Sequence, residues 1–236
     1  MKISYKFFTK YVTNISIILM FVILGAVAFQ GGATGVFNSQ RPQIYYCGNT
    51  KKNNISLMFN VYGGNEYVDE IIKILRSNNV KATFFVGGIW INKNEECFMN
   101  IYNSGNEIAS HGYWHKDHSK ITDDEQANEI IMTDELVFSL TGVKMGLFAP
   151  PGGAYNSSTA IIAHNLNYKT IMWSKDTIDW RDQNKELIID RATTSLSNGD
   201  LILMHPTKCT CEALPEIITK IVDSGYKIAT VGENIT

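Results

Sequence analysis

Short apolar runs alternate with helical patterns from residue 54 to the end of the chain. In the intervening segments, apolar residues recur at helical spacing, as in Val68, Ile71, Ile72 and Leu75 or in Leu214, Ile217, Ile218 and Ile221. Seven runs rich in β-branched and aromatic residues predict strands at 55–61, 82–86, 107–110, 145–148, 169–173, 201–205 and 227–230. This alternation is typical of an α/β domain with parallel strands and crossover helices.

Seven strand and helix units within about 180 residues favour a compact barrel of the TIM type, with an open doubly wound sheet as the alternative. Both architectures gather reactive groups at the carboxyl ends of the strands. Chemically notable residues lie at the carboxyl ends of five of the predicted strands: Asn60, His111, Pro150, Asp176 and His205. We therefore expect one site at this edge of the sheet.

Local signals mark the starts of two helices. Thr122 and Glu125 have the spacing of a capping box after the histidine-containing loop. Pro215 is expected in the first turn of the last long helix.

The N-terminal region has a different pattern. Lys2, Lys6 and Lys10 precede an apolar run, and no further charged residue occurs before Arg41. This pattern is typical of an export segment, with the lysines on the cytoplasmic side. The segment is long enough to span a bilayer, and Ala26 and Ala28 also have the spacing of a signal-peptidase site.

We divide the chain into a cytoplasmic basic segment (1–11), a transmembrane anchor or signal peptide (12–29), a linker (30–53) and a folded domain (54–236). The domain is expected outside the cytoplasmic membrane, anchored to it or secreted. A retained anchor is slightly favoured.

Composition narrows the class of protein. With 44% hydrophobic and 19% charged residues among 236, the chain is globular and not disordered. A net charge of −2 gives no electrostatic reason to expect a nucleic-acid partner.

Four cysteines follow the export segment: Cys47, Cys97, Cys209 and Cys211. Disulfides are permitted there, and three complete pairings exist. The pair Cys209 and Cys211 resembles half of a metal site and leaves a redox or metal-carrier role open, but free or structural thiols are favoured.

A histidine pair carries the clearest chemical signal. His111 and His115 are four residues apart, so both imidazoles can reach one divalent metal. Such a metal polarises an acyl carbonyl and lowers the pKa of its bound water to about 7, which suggests hydrolysis. The same spacing also recurs by chance, and Gly112 argues against a regular helix here.

Residues 54–232 resemble the polysaccharide deacetylase family, the NodB homology domain of carbohydrate esterase family 4. Four runs of the chain resemble that family's motifs in turn: His111 with His115, then 148–153, 173–180 and 203–205. The segments 82–85 and 105–108 resemble its structural framework. The resemblance implies a distorted (β/α)7 barrel that removes acetyl groups from N-acetylated sugars of peptidoglycan, chitin or related polymers.

The resemblance also implies roles for individual residues. His111 and His115 would bind zinc or another divalent metal. His205 would act as general acid, with Asp176 orienting a histidine. The residues implied to contact the glycan are Pro150, Pro151, Gly152, Tyr155 and Trp180, with a backbone N–H near Gly152 facing the oxyanion.

The first family motif is altered. Where family enzymes have T-F-D-D, this chain has Met58–Phe59–Asn60–Val61. Asn60 stands at the position of the general base, Val61 stands at that of the third metal ligand, and Ala149 replaces the arginine that orients the base. Neither an amide nor an alkyl side chain supplies a carboxylate, so the sequence predicts an incomplete metal site.

Asp117 and Asp179 are candidates for the missing ligand, although each is more often an ordinary surface or structural acid. His118 and His164 are taken as surface histidines. The altered segment after Asn60, together with the N-terminal anchor, resembles sporulation-associated members of the family.

Two functions follow from this resemblance. The first is a membrane-attached deacetylase of cell-wall glycan with reduced activity. The second is a catalytically inactive glycan-binding or scaffold protein of the cell envelope or spore. Bound metal and acetate release distinguish the two.

Overall fold

The computed structural model describes residues 42–236. In this part of the chain the strands are β1 Ile44–Tyr45, β2 Asn54–Val61, β3 Thr83–Val86, β4 Glu107–Ser110, β5 Leu147–Phe148, β6 Lys169–Ile171, β7 Lys175–Asp176, β8 Leu201–Met204 and β9 Lys227–Ile228. The helices are α1 Val68–Ser77, α2 Gly88–Lys93, α3 Glu95–Asn103, α4 Asp123–Thr141, α5 Thr159–Asn165, α6 Lys185–Thr193, α7 Lys208–Asp223 and α8 Val231–Asn234, with a 3-10 turn at Pro151–Gly153. All seven predicted strands are present, some of them shortened.

The strands form one parallel sheet in the order β1-β6-β5-β4-β3-β2-β8-β7, with β9 paired to β2. Within residues 42–236 no pairing joins β1 to β7, so the sheet is open between these two strands and does not close as a barrel. The prediction of a parallel α/β fold is confirmed. The expectation of a distorted barrel is confirmed in part: the sheet is curled like a barrel but stays open between its end strands β1 and β7, which have two residues each.

The two faces of the sheet carry very different cores. The larger cluster contains Phe59, Phe84 and the apolar stripes of α1 through α7. The opposite face carries a small cluster that includes Met58 and Ala109, and Val231 of α8 packs against it. Because one face holds nearly all the helices, the arrangement is that of a curled, barrel-like sheet and not of a doubly wound one.

The strand register brings the carboxyl ends together. Val61, Val86 and Ser110 lie in one row across β2, β3 and β4. Met204 pairs with Phe59, so the residues that follow β4 and β8 emerge at the same edge as the end of β2. This edge holds the site described below.

The later part of the predicted linker belongs to the folded domain. Ile44–Tyr45 pairs with β6, and the backbone N–H groups of Gly48 and Asn49 donate to Gly199 and Asn234, both at 2.7 Å. A two-residue strand has no periodicity, so sequence analysis missed it. The predicted segments at 1–11 and 12–29 lie outside the described residues. From residue 42 onward, no helix is both long and apolar enough to cross a membrane.

The local helix signals have mixed outcomes. The Thr122 and Glu125 capping box is confirmed at the start of α4. The placement of Pro215 is wrong, because α7 begins at Lys208, where the Thr207 side chain accepts a hydrogen bond from Thr210 N, and Pro215 lies in its interior. The four apolar residues named above in α1 and the four in α7 are buried.

Candidate active site

A cavity of about 350 Å³ opens at the carboxyl ends of the strands. Its lining consists of Asn60, Tyr62, His111, His115, Gly152, Trp173, Asp176, Trp180, Leu203 and His205. The structure therefore brings together residues that are far apart in the sequence, as expected for the catalytic edge of a parallel sheet.

His111 is fixed in position by the ends of two strands. Its backbone N–H donates to Val86 O at 2.9 Å, and its Nδ1 lies 2.8 Å from Ala149 O. Since a carbonyl oxygen only accepts, Nδ1 carries the proton and Nε2 is left with a free lone pair. That Nε2 is buried without a partner. Burial, followed by the neighbouring His115, holds the pKa of His111 well below its usual value.

His115 lies on a tight loop that α4 supports. The loop turns at Gly112 and at His115 itself, with φ of 75° and 58°. Glu129 of α4 accepts the backbone N–H of Trp114 at 2.9 Å, and burial raises the pKa of this carboxyl. His115 Nε2 is also buried without a partner, and burial lowers its pKa.

Tyr62 lies between the histidines. Its ring stacks on His115 at a centroid distance of 3.8 Å and meets His205 edge-on at 6.2 Å. Sequence analysis did not single out Tyr62, Trp173 or Leu203. The available signal was that Tyr62 directly follows a predicted strand end.

The third metal-ligand position is apolar in the fold as well as in the sequence. Val61 is fully buried in the larger apolar cluster, which also contains Phe59 and Phe84. Asn60 lines the cavity, and its Oδ1 is buried without a hydrogen-bond partner. Asp117 is bonded to Ser119 and Lys120 and does not line the cavity.

The chemistry of this donor set decides whether a metal fits. Two imidazole nitrogens are available, but between residues 42 and 236 there is no grouping of three His, Cys, Asp or Glu side chains able to hold an ion. A catalytic zinc site uses three protein ligands and an open position. The residues present do not meet that requirement, and we assign no catalytic step to a metal.

The acid next to His205 is Asp179 and not Asp176. Asp179 is fully buried and accepts three hydrogen bonds, from His205 N at 2.6 Å, His205 Nδ1 at 2.8 Å and Thr210 Oγ1 at 2.6 Å. Asp176 accepts the backbone N–H of Ile178 at 2.9 Å and lines the cavity. The left-handed turn at Ile178, with φ of 52°, accompanies this placement. The expectation that Asp176 orients the histidine is therefore wrong. Of the two alternatives for Asp179, metal ligand or structural acid, the structure has the structural acid.

The expected glycan-contact residues separate into two groups. Gly152 and Trp180 line the cavity, and the Trp180 side chain is 56% exposed. Pro150 and Pro151 are buried and do not line the cavity. Tyr155 lies outside the cavity lining, with its hydroxyl 2.5 Å from that of Tyr46.

His118 is buried, contrary to expectation. Its ring packs against Phe148 at a centroid distance of 4.9 Å, and neither ring nitrogen has a hydrogen-bond partner. Burial lowers the pKa of His118 to about 4. His164 is exposed, as predicted.

The four cysteines are free thiols. Burial raises the pKa of Cys97 to about 11 and that of Cys211 to about 12. A thiol with such a pKa is not an active nucleophile or a ready metal ligand, so the redox role for the Cys209 and Cys211 pair is not supported.

Comparison with known proteins gives consistent matches. The family described as polysaccharide deacetylase matches residues 47–171. The chain is 38% identical over 195 residues to the uncharacterized protein YlxY of Bacillus subtilis, covering 83% of this chain and 61% of YlxY. It is 30% identical over 195 residues to a peptidoglycan-N-acetylglucosamine deacetylase of Bacillus cereus, covering 79% of this chain and 70% of that protein.

Two solved structures of one protein, native and mutant, have the same fold as this chain. A family 4 carbohydrate esterase pseudoenzyme of Bacillus anthracis matches with a TM-score of 0.80 at 34% identity, covering 83% of this chain and 69% of that one. A mutant of that protein, described as having restored enzymatic activity, matches with the same TM-score at 33% identity, covering 83% of this chain and 72% of the mutant. With a family match over more than half of its length, this chain belongs to the polysaccharide deacetylase family.

Proposed function

We propose that this protein binds amino-sugar glycan of the cell wall in the cavity at the strand ends and has lost efficient hydrolysis. Its relatives include peptidoglycan deacetylases, which supports an amino-sugar polymer as the ligand. Trp173, Trp180 and Tyr62 give the cavity aromatic walls, which suit the apolar faces of sugar rings. The exposed ring of Trp180 is the largest of these surfaces that solvent can reach.

One observation carries the proposal: the side chain that enters the cavity at the base position is the amide of Asn60. An amide does not take a proton from water at neutral pH, and a general base contributes about 10²–10⁴-fold to such reactions. The arginine position supports the same conclusion, because Ala149 is fully buried in the smaller apolar cluster and no arginine among residues 42–236 lines the cavity beside Asn60.

A second candidate is slow deacetylation, and the His205 side of the cavity favours it. His205 retains a buried acid partner in Asp179, so its ring is held with Nε2 available to a substrate. This candidate predicts acetate release that is abolished by His205→Ala. The first candidate predicts that His205→Ala leaves acetate release at the level of a sample without protein.

Glycan binding by the full chain tests the proposal. Oligosaccharides of β-linked amino sugars, in N-acetylated and chemically de-N-acetylated forms, are titrated while tryptophan fluorescence or heat is recorded. Binding of at least one form is expected, and Trp180→Ala should weaken it about tenfold through loss of the exposed ring.

Phe138→Ala is the matched control, because Phe138 is a similarly exposed aromatic residue on α4 outside the cavity. It should leave the affinity unchanged. Absence of binding to both glycan forms would overturn the proposal, as would equal losses in the two variants.

The site of action is proposed from the sequence alone. The apolar segment 12–29 after three lysines supports a domain held at the outer face of the cytoplasmic membrane or secreted. Fractionation of cells expressing the full chain, with protease added from outside, tests this placement.

A further inference from the structure

The charge of the cavity lining is one-sided. Of the ten lining residues, Asp176 is the one carboxylate, and none is lysine or arginine. A second acid, Asp179, lies directly behind His205. The lining therefore favours a positively charged ligand over a neutral or negative one.

Three buried polar atoms at the His111 side have no hydrogen-bond partner. They are Nε2 of His111, Nε2 of His115 and Oδ1 of Asn60. At His111 the Nδ1 bond to a carbonyl fixes the tautomer, so Nε2 is an acceptor and not a donor. Buried polar atoms without partners are costly, so a ligand that brings several N–H donors gains from pairing with them.

Tyr62 lines the cavity beside these atoms. Its ring stacks on His115, and the residue is 44% exposed. Gly63 and Gly64 follow Tyr62 in the chain. A side chain at Gly63 would meet no atom within 4 Å, so the backbone after Tyr62 has space around it. An aromatic face in the cavity lining also attracts cations.

We infer that the cavity selects amino sugars whose nitrogen is a free, protonated amine over sugars whose nitrogen is acetylated. An ammonium group offers three N–H donors and a positive charge, which suit the acceptors His111 Nε2 and Asn60 Oδ1 and the Asp176 carboxylate. An acetamido group offers one N–H donor and no charge, and its carbonyl oxygen adds a further acceptor. This inference rests on the proposed glycan-binding function and names the form of glycan that is bound.

The position in a reaction sequence follows from this selectivity. A free amine on a cell-wall sugar is the product of amide hydrolysis. The reaction class that supplies the ligand is therefore N-deacetylation by another protein.

Paired ligands test the inference on the full chain. A β-1,4-linked glucosamine pentamer is compared with the same pentamer after chemical N-acetylation, in EDTA, at a pH where the amine is protonated. We expect the free-amine form to bind at least about tenfold more tightly, since each factor of ten is about 1.4 kcal/mol. Equal or tighter binding of the N-acetylated form would overturn the inference and leave glycan binding standing, whereas no binding of either form would overturn both.

Two variants separate local recognition from bulk charge attraction. Asp176→Asn keeps the oxygen that accepts Ile178 N–H but removes the charge, so the preference for the free amine should fall several-fold. Asp223→Asn, on the exposed end of α7, has the same change in net charge and should leave the preference intact.

An unchanged preference in Asp176→Asn, or equal losses in both variants, would overturn the inference. Omitting EDTA gives a third arm, because divalent cations compete for the same imidazole nitrogens. A preference that exists without EDTA and disappears in it would also overturn the inference, since the amine would then bind through a metal.

Discussion

The His205 side and the His111 side of the cavity both present imidazole rings at the carboxyl edge of the sheet, but their polar atoms are satisfied to different degrees. On the His205 side, the buried carboxylate of Asp179 accepts three hydrogen bonds. On the other side, Nε2 of His111, Nε2 of His115 and Oδ1 of Asn60 have no partner. The first network is complete within the protein, and the second is complete only with a ligand.

This difference separates a part of the site that the fold itself stabilises from a part that needs a ligand. A satisfied buried network stabilises the native state and remains useful whether or not catalysis occurs. Unpaired buried groups each cost about 1–3 kcal/mol. A ligand that pairs with the unpartnered atoms on the His111 side therefore gains the most binding free energy.

Restoring the missing carboxylates at positions 60 and 61, on the His111 side of the cavity, should have the largest effect. We expect Asn60→Asp with Val61→Asp and Ala149→Arg to strengthen zinc binding and to bring acetate release above the protein-free level, because a general base contributes about 10²–10⁴-fold to such reactions. Zinc affinity by calorimetry and acetate release from N-acetylated oligosaccharide measure the two effects.

Val61 and Ala149 are fully buried, so the unfolding midpoint of the triple variant must be recorded beside its activity. Asn60→Asp alone, which is nearly isosteric, serves as the folded control. A folded triple variant with unchanged zinc affinity would show that the assignment of the β2 end to the altered motif is wrong.

Removing the Asp179 carboxylate from the His205 side should mainly reduce the stability of the fold. Asp179→Ala leaves His205 Nδ1, His205 N and Thr210 Oγ1 without their common acceptor, and should lower the free energy of unfolding by roughly 3 kcal/mol. Urea denaturation measures this change.

Asp176→Asn is the comparison variant, and its unfolding midpoint should stay near that of the native chain. Similar midpoints for Asp179→Ala and Asp176→Asn would contradict the assignment of Asp179 as the structural partner of His205.

Acid should weaken the fold through its buried histidines. The folded pKa of His118 is about 4 against a usual 6.5, so between these values the unfolded state binds a proton that the folded state does not. Stability therefore falls as pH falls from 6.5 to 4, by up to about 3 kcal/mol from this residue.

In His118→Leu the ring that packs against Phe148 is replaced by an apolar side chain that does not titrate. The slope of unfolding free energy against pH should decrease by up to about 1.4 kcal/mol per pH unit in this range. Chemical denaturation at several pH values checks this, with the exposed His164→Leu as control. Equal slopes in the native chain and the His118 variant would contradict the account.

The smallest expected effect concerns the support of the histidine loop. Thr122→Ala removes the N-cap of α4, the helix that carries Glu129, and should cost about 1 kcal/mol of stability. Glycan affinity should not change, because Glu129 lies nearly two turns further along the helix. A loss of affinity larger than the loss of stability would show that the cap controls the position of the loop.

Much of the fold could be predicted from sequence because periodicity reports burial directly. The stripes of α1 and α7, the strand that contains Asn60 and the strands that end before His111 and His205 are strongly patterned, and the structure contains all of them. The strands β1 and β7 were missed because two residues carry no period, and the openness of the sheet depends on these two strands.

The site was less predictable where it depends on the path of single loops. Spacing alone could not show that the turn at Ile178 directs Asp179, and not Asp176, towards His205. It also could not show that Tyr62 stacks on His115, since such contacts arise from tertiary packing. His118 was misassigned because a polar residue in a loop is usually exposed.

Acetate release at saturating glycan tests the central claim most directly. The full chain is incubated with N-acetylated oligosaccharide at concentrations where binding is complete, beside His111→Ala and a sample without protein. We predict that acetate in all three stays at the same level. Release by the native chain above the protein-free level, and its loss in His111→Ala, would contradict the account and identify the protein as a working deacetylase.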